Sequence, residues 1–384
     1  MSPRDKTLFR RNRGASYTPE RAEAALAKAV SRLRSRNREF AHAGMTISAP
    51  SVGLHCSLGA DGEAENAVFH TASVGKLFTT ALIGMLLDEG TLQRNTPVAD
   101  ILSPELLAGL FAVDGVDYSE QVTVAHLLSH TSGVADYFED PSYVDGQRQD
   151  DTAAAAAKRE PTRSWTPEEL LAWSRERQRP VGAPGERFHY SDTGFVLLGF
   201  MIQEIEGAPF HEVLERRIFD PLEMVHAAMP GRSLPRDPQT PQMRPIWLLG
   251  DDLSRAPSIT IDWTGGGVSA TAEELIRFAR AFHNGGLLTP ETLAWLSQFR
   301  WKFRRGIAYG HGVMEVRFGE FFPLLKSLPS MSGHMGITGV QLFADLEDDT
   351  VICVSTGSTR GMSQSVRLMI SGISSVQKLK RAPS

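Results

Sequence analysis

The sequence predicts an α/β fold in which a sheet-containing lobe is interrupted by a mainly helical lobe. The chain has 384 residues, more than one compact core usually holds, so two lobes are expected. Alternating β-branched and apolar residues, typical of strands, occur in residues 46–58 and again after Trp263. Residues 91–240 show helical segments joined by polar loops. The predicted division is an N-terminal tail and helix at 1–38, an α/β lobe at 39–90 plus 241–384, and a helical lobe at 91–240.

The N-terminal part contains a helix start and a strand pattern. In Tyr17-Thr18-Pro19-Glu20, threonine is suited to the N-cap and proline to the first helical position. Residues 46–58 predict a strand that ends at a hairpin turn, residues 59–62, with residues 67–69 as the returning strand. A second helix is expected over residues 73–89.

The rest of the chain alternates between helices and, near the C-terminus, strands. Residues 147–163 are of low complexity and predict either a short helix or a mobile loop. Thr271-Ala272-Glu273-Glu274 is typical of a capped helix start, and that helix should reach Phe282. The other predicted elements are helices near residues 125–130, 166–171, 192–205, 211–218 and 366–378, and strands at 338–346 and 350–355.

Composition excludes several classes of protein. Forty basic residues against 45 acidic ones give a net charge of −5, so no nucleic-acid partner is expected. Cys56 and Cys353 are too few for a disulfide framework or a cysteine zinc site, and their apolar surroundings predict buried free thiols. No apolar run reaches the ~18 residues of a membrane span. The basic segment at residues 4–13 is followed by no apolar stretch or cleavage site, which favours a cytoplasmic protein.

The first motif with chemical meaning is Ser73-x-x-Lys76 at the start of an apolar helix. Residues three apart share a helix face, so the amine can reach the hydroxyl and accept its proton. Backbone N–H groups at a helix start also favour a developing oxyanion. Ser375-x-x-Lys378 has the same spacing, but it lies in the polar tail of the last helix, where a solvated face is expected.

Two further motifs follow in order. Tyr190-x-Asp192 lies at a loop-to-helix junction, where a phenol near a cation can shuttle protons. His334-x-Gly336 opens a strand that can offer a backbone N–H as a second oxyanion donor. Tyr143-x-Asp145 and His42-x-Gly44 match the bare patterns but lack this context. Ser73, Tyr190 and Gly336 therefore predict one site.

The three motifs together resemble those of the serine β-lactamase and penicillin-binding-protein superfamily, nearest to class C β-lactamases, D-alanyl-D-alanine carboxypeptidases and related esterases. The resemblance runs from about residue 40 to residue 360. It implies an antiparallel sheet flanked by helices, with the helical lobe inserted. Other segments that resemble the family are residues 127–133, 218–224, 265–278 and 309–312.

By this resemblance, Ser73 attacks an ester or amide carbonyl, and Lys76 and Tyr190 share the base and relay work; which of them is the base stays open. Asp192 replaces the family's more usual asparagine. It should orient Lys76, hold it charged and so shift more of the base role to Tyr190. The implied oxyanion donors are the N–H groups of Ser73 and Ile337. Water then releases the acyl-enzyme, and no cofactor or metal is expected.

The substrate class depends on His334-Met335-Gly336, because dedicated β-lactamases and peptidases of the family typically carry Lys-Thr-Gly there. Histidine is mostly neutral near pH 7, which weakens the case for a carboxylate-bearing substrate. We expect His334 to sit beside the acyl-enzyme, in a supporting role with Asp192 and Gly336.

A carboxylesterase for small acyl esters is the first hypothesis for the function. The alternative is a D-amino-acid peptidase or amidase, or a weak β-lactamase, and the third is a catalytically silent binding scaffold. The expected partner is a small ester or amide, with no membrane partner and an open oligomeric state.

Several other features predict structure and not catalysis. His126 and His130 are expected to be structural residues at a helix end, and Gly265-Gly266-Gly267 a close backbone approach beside the sheet. No Lys-Ser/Thr follows those glycines, so they do not predict a phosphate loop. The sequence has no Gly-x-Ser-x-Gly, which excludes an ordinary α/β-hydrolase elbow. Residues 211–215 lack the second histidine of a zinc helix.

Overall fold

A computed structural model describes residues 17–62 and 67–382. The predicted basic tail at residues 4–13 lies outside the described residues. The predicted helix start at Tyr17-Thr18-Pro19-Glu20 is confirmed, because the Thr18 side chain accepts from the Arg21 N–H. The helices are α1 Pro19–Arg34, α2 Lys76–Asp88, α3 Pro104–Leu107, α4 Val124–Leu128, α5 Ala153–Arg159, α6 Pro167–Arg177, α7 Asp192–Glu206, α8 Phe210–Leu214, α9 Ala272–His283, α10 Pro290–Leu296, α11 Phe318–Phe321 and α12 Met362–Arg381.

The main sheet has eight strands, all paired antiparallel, in the order β11-β12-β13-β14-β15-β16-β1-β2. These strands are β1 Gly44–Ala49, β2 Leu54–Gly59, β11 Trp301–Arg304, β12 Ile307–Tyr309, β13 Met314–Val316, β14 Met331–Gly336, β15 Val340–Ala344 and β16 Val351–Ser355. The short strands outside it are β3 Val68–His70, β4 Ala112–Val113, β5 Val116–Asp117, β6 Ser142–Val144, β7 Gln147–Gln149, β8 Trp247–Leu248, β9 Asp251–Asp252 and β10 Ser269–Thr271. The predicted antiparallel sheet flanked by helices is confirmed.

Both faces of the sheet are buried. Alternate residues of one strand point to opposite faces, so a single strand shows this. On β15, Leu342 joins the core that includes α9, and its neighbour Phe343 joins the core that includes α1 and α12. β1 from the N-terminal part pairs with β16, with Ile47 opposite Ile352. The two ends of the chain therefore build one sheet. The division into an α/β lobe and a helical lobe stays a prediction.

The prediction for residues 46–58 is wrong in its details. A turn at Pro50–Val52, followed by Gly53 with φ 64°, divides this segment into β1 and β2. Residues 68–70 form β3, which pairs with β10 instead of returning to β2. An alternating pattern does not mark a tight turn inside it, and it does not name the partner strand. The low-complexity segment contains the short helix α5, one of its two predicted forms.

Cys56 and Cys353 are both buried and free, as predicted. No helix in the described ranges has the length and apolar character needed to cross a membrane. Within the same ranges, no group of three or more His, Cys, Asp or Glu side chains is arranged to hold a metal ion.

Candidate active site

Ser73 lies in a single 3₁₀ turn, Ala72–Gly75, between β3 and α2. Ala72, directly before it, has a φ of 47°, which is strained for a residue with a side chain. The Ala72 N–H donates to His70 Nδ1 at 3.1 Å, which helps to hold this conformation. The predicted helix start is therefore preceded by a tight turn, which places Ser73 in the wall of a cleft.

Strand β14 passes directly beside this turn, and Gly336 makes the approach possible. A Cβ atom at Gly336 would lie 2.8 Å from both the Ala72 Cβ and the Thr71 carbonyl oxygen, and 3.3 Å from the Ser73 nitrogen. Any side chain here would push β14 away from the turn. Ile337 follows Gly336 and lines the same cleft as Ser73. This placement supports the two N–H groups as the oxyanion donors, which stays a prediction.

Lys76 is completely buried, and its amine contacts two oxygen acceptors. It forms an ion pair with Asp192 at the start of α7 and donates to the Gly265 carbonyl oxygen at 2.7 Å. A Cβ atom at Gly265 would collide with the Asp192 carboxylate and lie 3.4 Å from Lys76 Nζ. The glycine run at 265–267 is thus a close backbone approach as predicted, and Gly265 makes its approach to the Lys76–Asp192 pair.

Tyr190 is half-buried, and its hydroxyl is hydrogen-bonded to the Ser73 side chain. Lys76 Nζ lies 4.9 Å from the centre of the Tyr190 ring. Burial raises the pKa of Tyr190 well above its usual value, and the Asp192 charge raises it further. At neutral pH Tyr190 is therefore a phenol. Asp192 was expected to shift the base role towards Tyr190, but it also makes this phenol harder to ionise, which favours a relay over a preformed phenolate base.

Two more carboxylates lie near this pair, the buried Asp136 and the partly buried Asp262, and the sequence analysis missed both. Asp136 accepts from the Asp192 N–H at 2.9 Å, and its pKa is raised well above the usual value by burial and by the Asp192 charge. Burial and the Asp192 charge also raise the pKa of Asp262 to about 7, against the influence of Lys76. The three carboxylates come from distant segments, so no spacing in the sequence indicated the cluster.

The structure corrects the expected position of His334. Its imidazole is fully buried and does not line the cleft that holds Ser73. Its Nε2 is 3.1 Å from the Tyr309 hydroxyl, and its Nδ1 is 2.8 Å from the Met335 carbonyl oxygen. Burial, followed by the Lys76 charge, lowers the pKa of His334 to about 3. The imidazole is neutral and internal, so it does not border an acyl-enzyme.

The cleft beside Ser73 has a volume of about 500 Å³. This is within the usual range for small-molecule sites, about 300–1,000 Å³. Its apolar wall is contributed by Phe188, Phe303, Met314, Met335 and Met362, and its charged lining by Asp136, Glu139, Asp140 and Arg304. The cleft is therefore partly aromatic and mostly acidic.

The duplicate motifs have structural partners. Ser375, on α12, accepts a hydrogen bond of 3.1 Å from the Tyr17 hydroxyl and is buried, so the solvated face expected for it is wrong. Tyr143 lies under the Arg179 guanidinium, and His42 pairs with Asp61 at 2.8 Å. His126 completes a capping box at the start of α4, which supports the structural role predicted for it.

Comparison with known proteins supports the same grouping. Penicillin-binding protein 4 of Amycolatopsis lactamdurans is 29% identical over 244 residues, which cover 59% of this chain and 54% of the relative. Lovastatin esterase of Penicillium rubens is 27% identical over 164 residues, which cover 40% and 38%. The chain spans about half the length or less of such curated relatives.

A solved structure and a family profile cover more of the chain. A D-stereospecific amidohydrolase from Streptomyces superposes with a TM-score of 0.73 and 24% identity, covering 90% of this chain and 97% of that one. This likeness establishes the fold. The profile of the family described as Beta-lactamase matches residues 59–367. The resemblance drawn from the motifs is confirmed, and the chain belongs to the beta-lactamase family.

Proposed function

We propose that the protein is a carboxylesterase that forms an acyl-enzyme on Ser73 and acts on small neutral esters. The observation that carries this proposal is the hydrogen bond between the Ser73 and Tyr190 hydroxyls, beside the buried Lys76–Asp192 pair. A serine needs a partner that takes its proton, and here that partner is already in place.

The proton path follows from this arrangement. As Ser73 Oγ attacks the ester carbonyl, its proton passes to Tyr190 Oη, and the phenol gives its own proton to the leaving alkoxide. Tyr190 thus returns to a phenol, and one proton has moved from serine to alcohol. In the second half-reaction, water attacks the acyl group, and its proton returns to Ser73 by the same route. Lys76 stabilises negative charge that develops on the phenol oxygen.

The charges of the cleft support a neutral ester over a carboxylate-bearing substrate. Among the cleft residues that the structure describes, Arg304 is an exposed cation, and its positive charge interacts with the carboxylate of Glu139. Lys76 is buried, and its amine is paired with the Asp192 carboxylate. Neither side chain offers an uncompensated cation next to Ser73 for a substrate carboxylate. One relative, lovastatin esterase, is named for ester chemistry.

A second candidate is an amidase for substrates that carry a free amino group. Glu139 and Asp140 line the cleft and provide carboxylates that attract an ammonium group. The amidohydrolase that shares the fold makes this candidate worth testing. A silent binding scaffold is the weakest of the hypotheses, because it leaves the Ser73–Tyr190 contact without a use.

The deciding experiment compares kcat/KM for p-nitrophenyl butyrate, a D-amino-acid p-nitroanilide and nitrocefin, with Ser73→Ala as the control. We expect the butyrate ester to be hydrolysed most efficiently. The highest kcat/KM for the anilide would favour the amidase. A kcat/KM for nitrocefin equal to or greater than that for the ester would reverse the ranking in favour of β-lactamase activity. If a fluorophosphonate probe fails to label the wild-type protein, the scaffold hypothesis gains and the enzyme proposal fails.

A further inference from the structure

Three buried side chains that this mechanism does not use form a continuous hydrogen-bond chain. His130 Nε2 is 3.0 Å from the Tyr309 hydroxyl, which is in turn 3.1 Å from His334 Nε2. At one end the Ser191 N–H bonds to His130 Nδ1 at 3.0 Å, and at the other His334 Nδ1 bonds to the Met335 carbonyl oxygen at 2.8 Å. We call His130, Tyr309 and His334 the buried hydrogen-bond chain.

The two backbone ends fix the direction of every bond in the chain. A backbone N–H can only donate, so His130 Nδ1 is unprotonated and its proton lies on Nε2, which donates to Tyr309. A carbonyl oxygen can only accept, so His334 Nδ1 carries the proton and its Nε2 accepts from Tyr309. Tyr309 thus accepts one bond and donates one. A single arrangement of protons satisfies all of the groups, and both imidazoles are neutral in it.

The ends of the buried hydrogen-bond chain lie in two of the three catalytic motifs. Ser191 is the middle residue of the Tyr190-x-Asp192 motif, and Met335 is the middle residue of the His334-x-Gly336 motif. Tyr309 lies on β12 of the main sheet, whereas Ser191 precedes α7. The chain therefore sets the distance between the segment that carries Tyr190 and the strand that runs beside Ser73.

His130 also accepts hydrogen bonds from the residues directly before and after Tyr190. Its carbonyl oxygen accepts from the His189 N–H at 2.8 Å, and its ring accepts from the Ser191 N–H. Between these two bonds, the Tyr190 ring lies against the His130 ring, with centres 4.3 Å apart. The position of the phenol thus depends on one histidine, which is anchored through Tyr309.

The backbone of His130 is strained, and its contacts give a reason. It follows the end of α4 with a φ of 55°, a position at which glycine is preferred. A glycine would relieve that strain, but it has no ring to bond Ser191 and Tyr309. Strain of this kind persists where the surrounding contacts over-determine the residue.

We propose that the buried hydrogen-bond chain of His130, Tyr309 and His334 is a positioning device, which holds the Tyr190 hydroxyl in line between Ser73 and the leaving group. This inference rests on the proposed role of Ser73 and Tyr190. Tyr309 and both histidines act through Tyr190 and do not touch the substrate.

The test is Tyr309→Phe, which removes only the hydroxyl at the centre of the chain. Its matched control is Tyr137→Phe, because Tyr137 is equally buried and its hydroxyl donates to the Ile261 carbonyl oxygen at 2.8 Å, outside the chain. Both variants should lose some thermal stability. We expect Tyr309→Phe alone to lower kcat for the aryl ester about 10- to 100-fold, as misplacement of a catalytic group does. Its KM should change less than about threefold, since the ester-binding cleft is intact.

A second variant checks that the residues act as one unit. His130→Phe keeps a ring against Tyr190 but removes both the acceptor of the Ser191 bond and the donor to Tyr309, so it should also lower kcat, and adding it to Tyr309→Phe should cost little more than either change alone. The rate of fluorophosphonate labelling, corrected for the folded fraction, should fall in parallel. If Tyr309→Phe keeps kcat and labelling rate within about twofold of Tyr137→Phe, the positioning role is refuted. A wild-type protein that does not label would instead refute the proposed function.

Discussion

The Lys76 amine and the Asp192 carboxylate form an ion pair that is almost completely shielded from solvent. A buried charge without a partner is costly, so each of these groups compensates the buried charge of the other. Burial raises the pKa of Tyr190, whose hydroxyl is bonded to Ser73, and the same carboxylate raises it further. Through its charge, one side chain therefore influences both candidate bases, and the family's more usual asparagine lacks that charge.

Asp192→Asn separates these two effects. The amide keeps an acceptor oxygen for Lys76 but removes the negative charge, so the pKa of Tyr190 should fall towards its usual value. We expect the alkaline limb of the kcat/KM profile to move to lower pH, with activity at pH 7 retained within about tenfold. The free energy of unfolding should fall, by less than the ~3–5 kcal/mol of a fully broken buried pair, because Asp262 remains near Lys76. An unshifted alkaline limb would show that Tyr190 does not control it.

Labelling by a fluorophosphonate probe should occur on Ser73 and spare Ser375. The two serines share the Ser-x-x-Lys spacing, but Ser73 lines a cleft and bonds to Tyr190, whereas Ser375 is buried beneath Tyr17. Peptide mapping of the labelled protein gives the site directly. Ser73→Ala should abolish labelling and lower turnover by several orders of magnitude, while Ser375→Ala should leave both unchanged. Adduct on Ser375 would contradict the assignment.

The parts of the site that the sequence predicted are those carried by short local motifs. Ser73 with Lys76, and Tyr190 with Asp192, are each within four residues of one another, so helix and turn geometry brings them together. Even the glycine at 336 has a local pattern around it. The two sheet strands near the C-terminus were likewise predictable from alternation, because β15 and β16 pair in one register across a single turn.

The parts that were missed depend on contacts between distant segments. Asp136 and Asp262 reach Asp192 only through the tertiary fold, and nothing in their neighbourhoods marks them. The buried His334 is hydrogen-bonded to Tyr309, which is 25 residues away on another strand. A motif states which side chain occupies a position on a strand, but the depth of that side chain is decided by what packs over it.

Asp262→Asn should change stability in a pH-dependent way. The pKa of Asp262 is about 7 in the folded protein and near 3.8 as its ordinary value, so the native state holds the proton more tightly than the unfolded state between these pH values. Wild-type stability from this group is thus full below about pH 4 and lost as pH rises through 7. Asparagine resembles the neutral acid and has no such loss.

We therefore expect the melting temperature of Asp262→Asn, relative to wild type, to be higher at pH 8 than at pH 4.5. Asp145, an exposed residue changed in the same way, controls for the loss of one negative charge. A difference between variant and wild type that is the same at both pH values would mean that Asp262 does not titrate in this range.

His334→Lys tests what the third motif does in this protein. If the side chain at 334 bordered the substrate, lysine would add a charge-assisted hydrogen bond to a substrate carboxylate, worth roughly 1.5–3 kcal/mol, or ten- to a hundredfold in affinity. The structure indicates another outcome, because the imidazole is buried and accepts from Tyr309. A lysine has no acceptor for that hydroxyl, and it would place a second cation close to Lys76. We expect a lower melting temperature and slower turnover of neutral and carboxylate-bearing esters alike.

His334→Gln is the matched control, since its amide oxygen can still accept from Tyr309, and it should retain more activity. A tenfold gain on carboxylate-bearing esters, with an unchanged melting temperature, would show that position 334 does reach the substrate.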